Sequence, residues 1–306
     1  MRLGLIYSLI PGLQDPGSFW MRLTTRSVEE AFARSGGTIL SRNLWENEEF
    51  PEPIGKALES LLHQGVGGIV VVGINDILDP AEEIISSVDT ERTPVVYTSW
   101  HAVRPPLAHV YNDSDFEGYQ AAQHLISRGY RNIVFIKPYE AHWVNGRIEW
   151  AHQAVRESRL DNATFSVYPP ATRSSSNTAE YQQLGYEAMR ETLEAGIEKS
   201  TRGTAPLGVI APNDYTAFGV MKAISEAGLT LGQDVGLVGF DDDPLSGSLG
   251  LTTVRRPFEA LGHASADMLL REMSGDRSHV QVRLRSLLIP RISTQPISQN
   301  LNFNGM

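Results

Sequence analysis

Residues 207–262 read LGVIAPNDYTAFGVMKAISEAGLTLGQDVGLVGFDDDPLSGSLGLTTVRRPFEALG. Two apolar runs, 208–211 and 235–240, enclose a helical segment at 216–227, where Phe218, Val220, Met221 and Ile224 fall at mostly helical spacing and Gly228 is the stop. This is one βαβ unit, so its strands are expected to be parallel and buried. Each run ends in a polar cluster: Asn213-Asp214 after the first, Asp241-Asp242-Asp243 after the second. In open parallel sheets ligands bind beyond the carboxyl ends of the strands. Both clusters are therefore expected to face a small polar ligand.

The same alternation runs through the chain. Strands are expected at 3–7, 38–42, 68–72, 94–98, 109–113 and 132–137, with helices at 20–35, 53–64, 80–88 and 116–128. A second series follows: helix 145–158, strand 163–168, a Ser- and Pro-rich loop at 169–178, helix 179–195, the unit above, helix 258–273 and one strand at 283–289. This is the pattern of an α/β layer fold. Asp113, a helix, Gly129 and the strand to Lys137 echo Asp214, a helix, Gly228 and the strand to Phe240. That echo, and a length of 306 residues, lead to an expectation of two lobes. A cleft between them would carry Asp113 on one wall and Asp214 and Asp241 on the other.

Several function classes are disfavoured. A net charge of −10 makes the chain a poor wrapper of nucleic acid or anionic membrane by itself. It has no cysteine, so no disulfide or thiolate site. No apolar run approaches the roughly 20 residues of a membrane span. The start, Arg2-Leu-Gly-Leu-Ile-Tyr, reads as a strand and not as an export signal, and a cytoplasmic location is expected. There is no P-loop and no H-E-x-x-H or G-x-S-x-G motif, and Gly65-Val-Gly-Gly68 precedes its strand, the wrong order for a dinucleotide site. The acids at 241–243 cannot all converge on one ion, and the histidines lack metal-ligand spacing, so neither metal nor cofactor is assigned. Asp242 or Asp243 is expected to cap backbone amides, leaving Asp241 to the ligand. Asp113, Arg147, Asn213 and Asp241 together suit a ligand rich in hydroxyl or amide groups. Trp20 and Trp143, near helix starts, are the favoured stacking aromatics.

These residues also carry a resemblance. D-V-G-L-V-G-F-D-D-D-P…L-T-T-V-R-R-P-F-E-A-L-G at 234–262 and A-P-N-D-Y-T-A-F-G at 211–219 resemble the LacI/GalR transcription regulators. So do Asp113…Gly118…His124-Leu-Ile…Gly129-Tyr-Arg-Asn-Ile and Gly65-Val-Gly-Gly-Ile-Val. The match runs in order from Leu3 to about Thr294. It implies the fold of a type I periplasmic binding protein: two Rossmann-like lobes with parallel sheets, joined by three crossovers. The lobes map to 1–137 with 254–277 and to 138–253 with 278–306. Position by position, the resemblance implies ligand contacts from Asp113, Arg147, Asn213 and Asp241, with an apolar wall of Trp20, Met21 and Phe258. It further implies a homodimer that binds a small-molecule effector, a carbohydrate, and reaches operator DNA only through an N-terminal headpiece. No headpiece is expected here, since the first core strand begins at Leu3.

There are departures from the pattern. Arg147-Ile-Glu-Trp150-Ala151 exchanges the family's small and large positions, and the loop at 169–180 lacks the usual aromatic, with Tyr181 as candidate substitute. Two other readings stand beside this one. The first is a solute-binding protein of a sugar transporter, which shares the fold. The second is an enzyme on a sugar or nucleoside using Asp113 and Asp241 as an acid–base pair.

Overall fold

The computed structural model describes residues 1–9, 19–45, 51–73, 80–100, 107–168, 180–195, 206–276 and 281–295. The Ser- and Pro-rich loop expected at 169–178 lies outside these residues. The strands are β1 (Arg2–Tyr7), β2 (Thr38–Asn43), β3 (Ile69–Val72), β4 (Val95–Ser99), β5 (Ala108–Asn112), β6 (Asn132–Ile136), β7 (Thr164–Tyr168), β8 (Leu207–Ile210), β9 (Val235–Phe240), β10 (Thr252–Arg255), β11 (Gln281–Leu284) and β12 (Leu287–Ile289). The helices are α1 (Phe19–Arg34), α2 (Ile54–His63), α3 (Pro80–Ser87), α4 (Asp115–Ser127), α5 (His142–Glu157), α6 (Tyr181–Glu194), α7 (Asp214–Glu226), α8 (Pro244–Leu249) and α9 (Phe258–Met273).

The chain divides into two compact units, 1–113 with 257–285 and 114–256 with 286–306. The first holds a parallel sheet ordered β11-β5-β4-β3-β1-β2. Its inner strands β1, β3 and β4 are buried on both faces, because helices cover both, while the edge strands β2 and β11 are partly exposed. Leu3, Leu5, Val70 and Val72 pack with α1 and α9, while Ile6, Ile69 and Val71 pack with α2 and α3. The second holds a sheet ordered β12-β10-β9-β8-β6-β7, parallel except for β12. Ile133, Phe135 and Phe240 pack with α4 and α5; Val134, Ile136 and Leu237 pack with α6 and α7.

Three sequence expectations need correction. β6 pairs with β7 and β8, so α4 and β6 belong to the second unit and the first crossing lies at 113/114, not after 137. The echo between the two Asp–helix–strand segments therefore does not mark one segment per lobe. The expected strand at 283–289 is two strands, β11 in the first sheet and β12 in the second, with the chain crossing at 285/286 between them. The crossing before α9 falls at 256/257, since β10 completes the second sheet.

One buried histidine makes the second unit sensitive to mild acid. His124 on α4 is 8% exposed, and its Nε2 lies 2.7 Å from Thr294 Oγ1, which in turn lies 2.7 Å from Thr252 Oγ1. Burial first, then Arg128, holds its pKa down from 6.5 to about 4. The unfolded chain thus takes up the proton first. The stability that neutral His124 contributes is complete above pH 6.5 and drains as the pH falls toward 4. Between pH 7 and 5 this amounts to about 1–2 kcal/mol. Urea unfolding of the wild type and His124→Gln should show that difference shrinking across this range.

Candidate functional site

In the second sheet β7 is added on one side of β6 and β8, β9 and β10 on the other, so the direction of winding reverses at β6. Such a reversal opens a crevice at the carboxyl ends of the strands. Tyr139 follows β6, Asn213 follows β8, Asp241 follows β9 and Arg256 follows β10, all at that end because these strands are parallel.

The three consecutive acids have three different tasks. Asp243 is the N-cap of α8, its Oδ1 accepting from the Leu245 amide at 2.9 Å and its Oδ2 from the Tyr215 hydroxyl at 2.7 Å. Asp242 takes Arg255 Nε at 2.6 Å and Arg291 Nη2 at 2.7 Å. Asp241 is held at φ 104°, a region that side-chain-bearing residues rarely occupy, and this costs on the order of 1–3 kcal/mol. Its amide donates to Val254 O at 2.9 Å. Its Oδ1 is buried with no hydrogen-bond partner among the described residues; the nearest cation, Arg256 Nη1, stands 3.5 Å away. Burial raises the Asp241 carboxyl, and Arg256 and Arg147 only partly oppose it. A strained backbone that presents an unsatisfied acceptor makes Asp241 a candidate ligand position.

Arg147 is buried and fixed from several sides. Its Nε and Nη2 donate to Glu117 Oε2 at 3.2 and 2.7 Å, and its Nη1 donates to Pro212 O at 2.6 Å. The guanidinium lies 4.9 Å from the Trp143 ring centre and 4.2 Å from that of Phe240. Glu117 has no exposed side chain, and its Oε1 accepts from Ser286 Oγ at 2.6 Å and Arg256 Nε at 3.2 Å. Burial alone would raise its carboxyl, but Arg256, then Arg147, then the Ser286 hydroxyl outweigh burial and hold it below the usual range.

Asn213 is used by the fold as well. Its Oδ1 caps α7 by accepting from the Thr216 amide at 2.8 Å, and its Nδ2 donates to the Tyr139 hydroxyl at 3.2 Å. Tyr139 in turn stacks on Tyr181 at 4.5 Å and has Trp143 at 6.1 Å. Asp214, which the sequence placed on a ligand wall, is 1% exposed and structural. It takes Thr253 Oγ1 at 2.7 Å, Ser246 Oγ at 2.7 Å and the Asp243 amide at 2.8 Å, knitting α7 to the β9–α8 turn.

The remaining expected residues belong to the first unit. Trp20 packs edge-on to Trp100 at 4.1 Å, and both approach Phe258, at 6.4 and 6.0 Å. Met21 and Phe258 are 3% and 2% exposed, core residues of the α1–α9 face, while Trp20 is only partly buried. Asp113, after β5, pairs with Arg283 Nη1 at 3.0 Å. Of the residues named from the sequence, Arg147 and Asp241 lie on one ion network with Glu117 and Arg256; the sequence carries no signal for Glu117, Arg256, Ser286 or Tyr139. Among the described residues no cluster of three or more His, Asp or Glu is placed to hold a metal, and no helix is long and apolar enough to cross a membrane.

Residues 122–294 match the family described as periplasmic binding protein-like domain, over more than half of the chain. The chain belongs to that family. Its relatives put it with the effector-binding domains of LacI/GalR-type regulators, as the sequence resemblance implied. The transcriptional repressor PurR of Klebsiella pneumoniae strain 342 is 27% identical over 273 residues, covering 87% of this chain and 74% of the repressor. A LacI family regulator from Enterococcus faecium, solved with bound ribose, covers 97% of this chain and 100% of its own at 22% identity and a TM-score of 0.68. A dimeric Lac repressor with a C-terminal deletion gives the same coverages at 19% identity and a TM-score of 0.74. At these identities the solved structures show the shared α/β fold.

Proposed function

We propose that this chain is the effector-sensing and dimerising domain of a LacI-type transcription regulator. It binds a small neutral ligand rich in hydroxyl groups, a sugar or sugar derivative, and ligand occupancy alters operator binding allosterically. The observation that carries this reading is Asp241. Its Oδ1 has the Arg256 guanidinium at 3.5 Å but no hydrogen bond among the described residues, and a ligand hydroxyl donating to it would satisfy that acceptor. Arg147 gives the ligand a rigid, already neutralised surface, and Trp143 lies against it. The local charges balance, two arginines against two carboxylates, which favours an uncharged ligand over an anionic one. The ribose of the Enterococcus faecium structure is a ligand of that class. The chain acts as a receptor, so the ligand should be recovered chemically unchanged.

The test is thermal unfolding against a panel of neutral sugars, sugar acids and nucleosides. A ligand at 100 times its dissociation constant stabilises by about 2.7 kcal/mol. A neutral sugar should raise the melting temperature. A panel in which only anionic compounds do so, or none does, would refute the reading.

A further inference from the structure

The chain passes between its two units three times, at 113/114, 256/257 and 285/286. A polar group stands at each crossing, and all three meet on one carboxylate. Glu117 lies on α4 just after the first crossing, and its amide donates to Ser114 O at 3.3 Å. Arg256 is the last residue before the second crossing, and Ser286 is the first after the third. Both donate to Glu117 Oε1, the arginine at 3.2 Å and the serine at 2.6 Å. Gln120, one turn along α4, adds a bond from Nε2 to Ser286 O at 3.4 Å.

Packing alone does not call for a carboxylate here. The neighbouring inward positions of α4, Ala121, Ala122 and Leu125, are fully buried and apolar. Replacing a buried ion network by apolar groups of similar size is often neutral or stabilising. Stability is therefore a weak reason for a buried charge at this point, and its position among the crossings is a better one. Through Oε2 the same carboxylate holds Arg147, and through Arg256 it reaches Asp241, whose Oδ1 is 3.5 Å from the Arg256 guanidinium. A ligand donor on that oxygen would compete with Arg256 and change its share between the two acids.

We propose that Glu117 is a clasp that makes the three crossing segments loosen as one unit, and that Arg256 links this clasp to Asp241. The link matters for ligand sensing only if the reading above holds; the clasp does not depend on it. Glu117 is thus a positioning residue, acting through Arg256, Arg147 and Ser286.

Hydrogen exchange on the intact, ligand-free chain tests both parts. Ser286→Ala removes one bond at the third crossing and leaves both ion pairs. It should speed exchange about tenfold in peptides spanning 112–118, 254–259 and 284–288 alike, the effect of one lost hydrogen bond to a charged group. Val209→Ala, in the core of the second unit, shows what general destabilisation does. It should not single out these segments. Asp241→Asn alters no crossing residue, yet should change exchange in the same three segments, by a smaller factor. Faster exchange at 284–288 alone in Ser286→Ala, or an equal response to Val209→Ala, overturns the clasp. Unchanged crossings in Asp241→Asn overturn the link. Because no ligand is used, failure here is separate from failure to find an effector. Glu117→Gln, if it folds, should exceed Ser286→Ala in all three segments; a smaller effect would count against the clasp.

Discussion

Replacing Glu117 by alanine is expected to lower the unfolding free energy by about 3–5 kcal/mol, the effect of removing one partner from a buried ion pair. The size follows from what remains. Arg147 and Arg256 have side chains only 3% and 10% exposed, and with Glu117 gone Arg147 would keep the Pro212 carbonyl and Arg256 would keep Asp241 at 3.5 Å, with little water to replace the loss. Ser286 would lose an acceptor at 2.6 Å as well. Urea unfolding at pH 7 reads the loss directly. A loss under about 1 kcal/mol, the range of a surface pair, would mean that water reaches the network. Acid gives a second reading of the same group. The folded-state pKa of Glu117 is depressed, so its contribution is present above the unfolded carboxylate range and is lost as pH falls through the folded value. The acid limb of the stability curve should therefore be shallower in Glu117→Gln.

The second large effect is expected one residue further on. Gly118→Ala should destabilise by about 3 kcal/mol, the upper part of the overpacking range. A Cβ at Gly118 would overlap the Arg147 carbonyl and crowd the carbonyl carbon and Cα of the same residue. These are backbone atoms of α5 and cannot rotate away. The helices must part, and Arg147 moves with its backbone. Gly118→Ala should thus weaken ligand binding as well as stability. Gly228→Ala is a useful comparison. It also disturbs a glycine, at φ 70°, but nothing lies within 4 Å of its added Cβ. Its cost is backbone strain alone, and ligand affinity should be kept. Equal affinity losses in the two variants would show that the α4–α5 approach has no special part in placing Arg147.

Much of this fold is legible in the sequence because its inner strands are buried apolar runs and because α1, α2, α4, α7 and α9 are each followed by a glycine at positive φ. β9 and α9 fall at their expected bounds, 235–240 and 258–273. The crossings are not legible. The first falls between Asp113 and Ser114, inside a strand-to-helix turn, and the third between Arg285 and Ser286 in a run that continues to alternate. Neither has a Gly- or Pro-rich linker to mark it. α8 has a helix-start signal in Asp243 before Pro244 and is closed by Gly250 at φ 69°, but it has no periodicity to predict it. Six residues are too few for a periodic apolar face.

At the site, residue type and position after a strand single out Asp241 and Asp214 alike as candidates. The two differ in whether neighbouring donors reach the carboxylate. Thr253, Ser246 and the Asp243 amide satisfy Asp214, while Asp241 Oδ1 is left unsatisfied. Glu117 looks in sequence like any acid on an amphipathic helix. Its partners lie 30, 139 and 169 residues away, and only the folded chain brings them together.

The central claim is that Asp241 receives the effector. Isothermal titration of the wild type and Asp241→Ala, with a neutral sugar that raises the wild-type melting temperature, tests it most directly. Losing hydrogen bonds to a charged acceptor costs about 1.5–3 kcal/mol, so the variant should bind about 10- to 150-fold more weakly. Equal affinities for both chains, with folding unchanged, would contradict the account and place the ligand elsewhere.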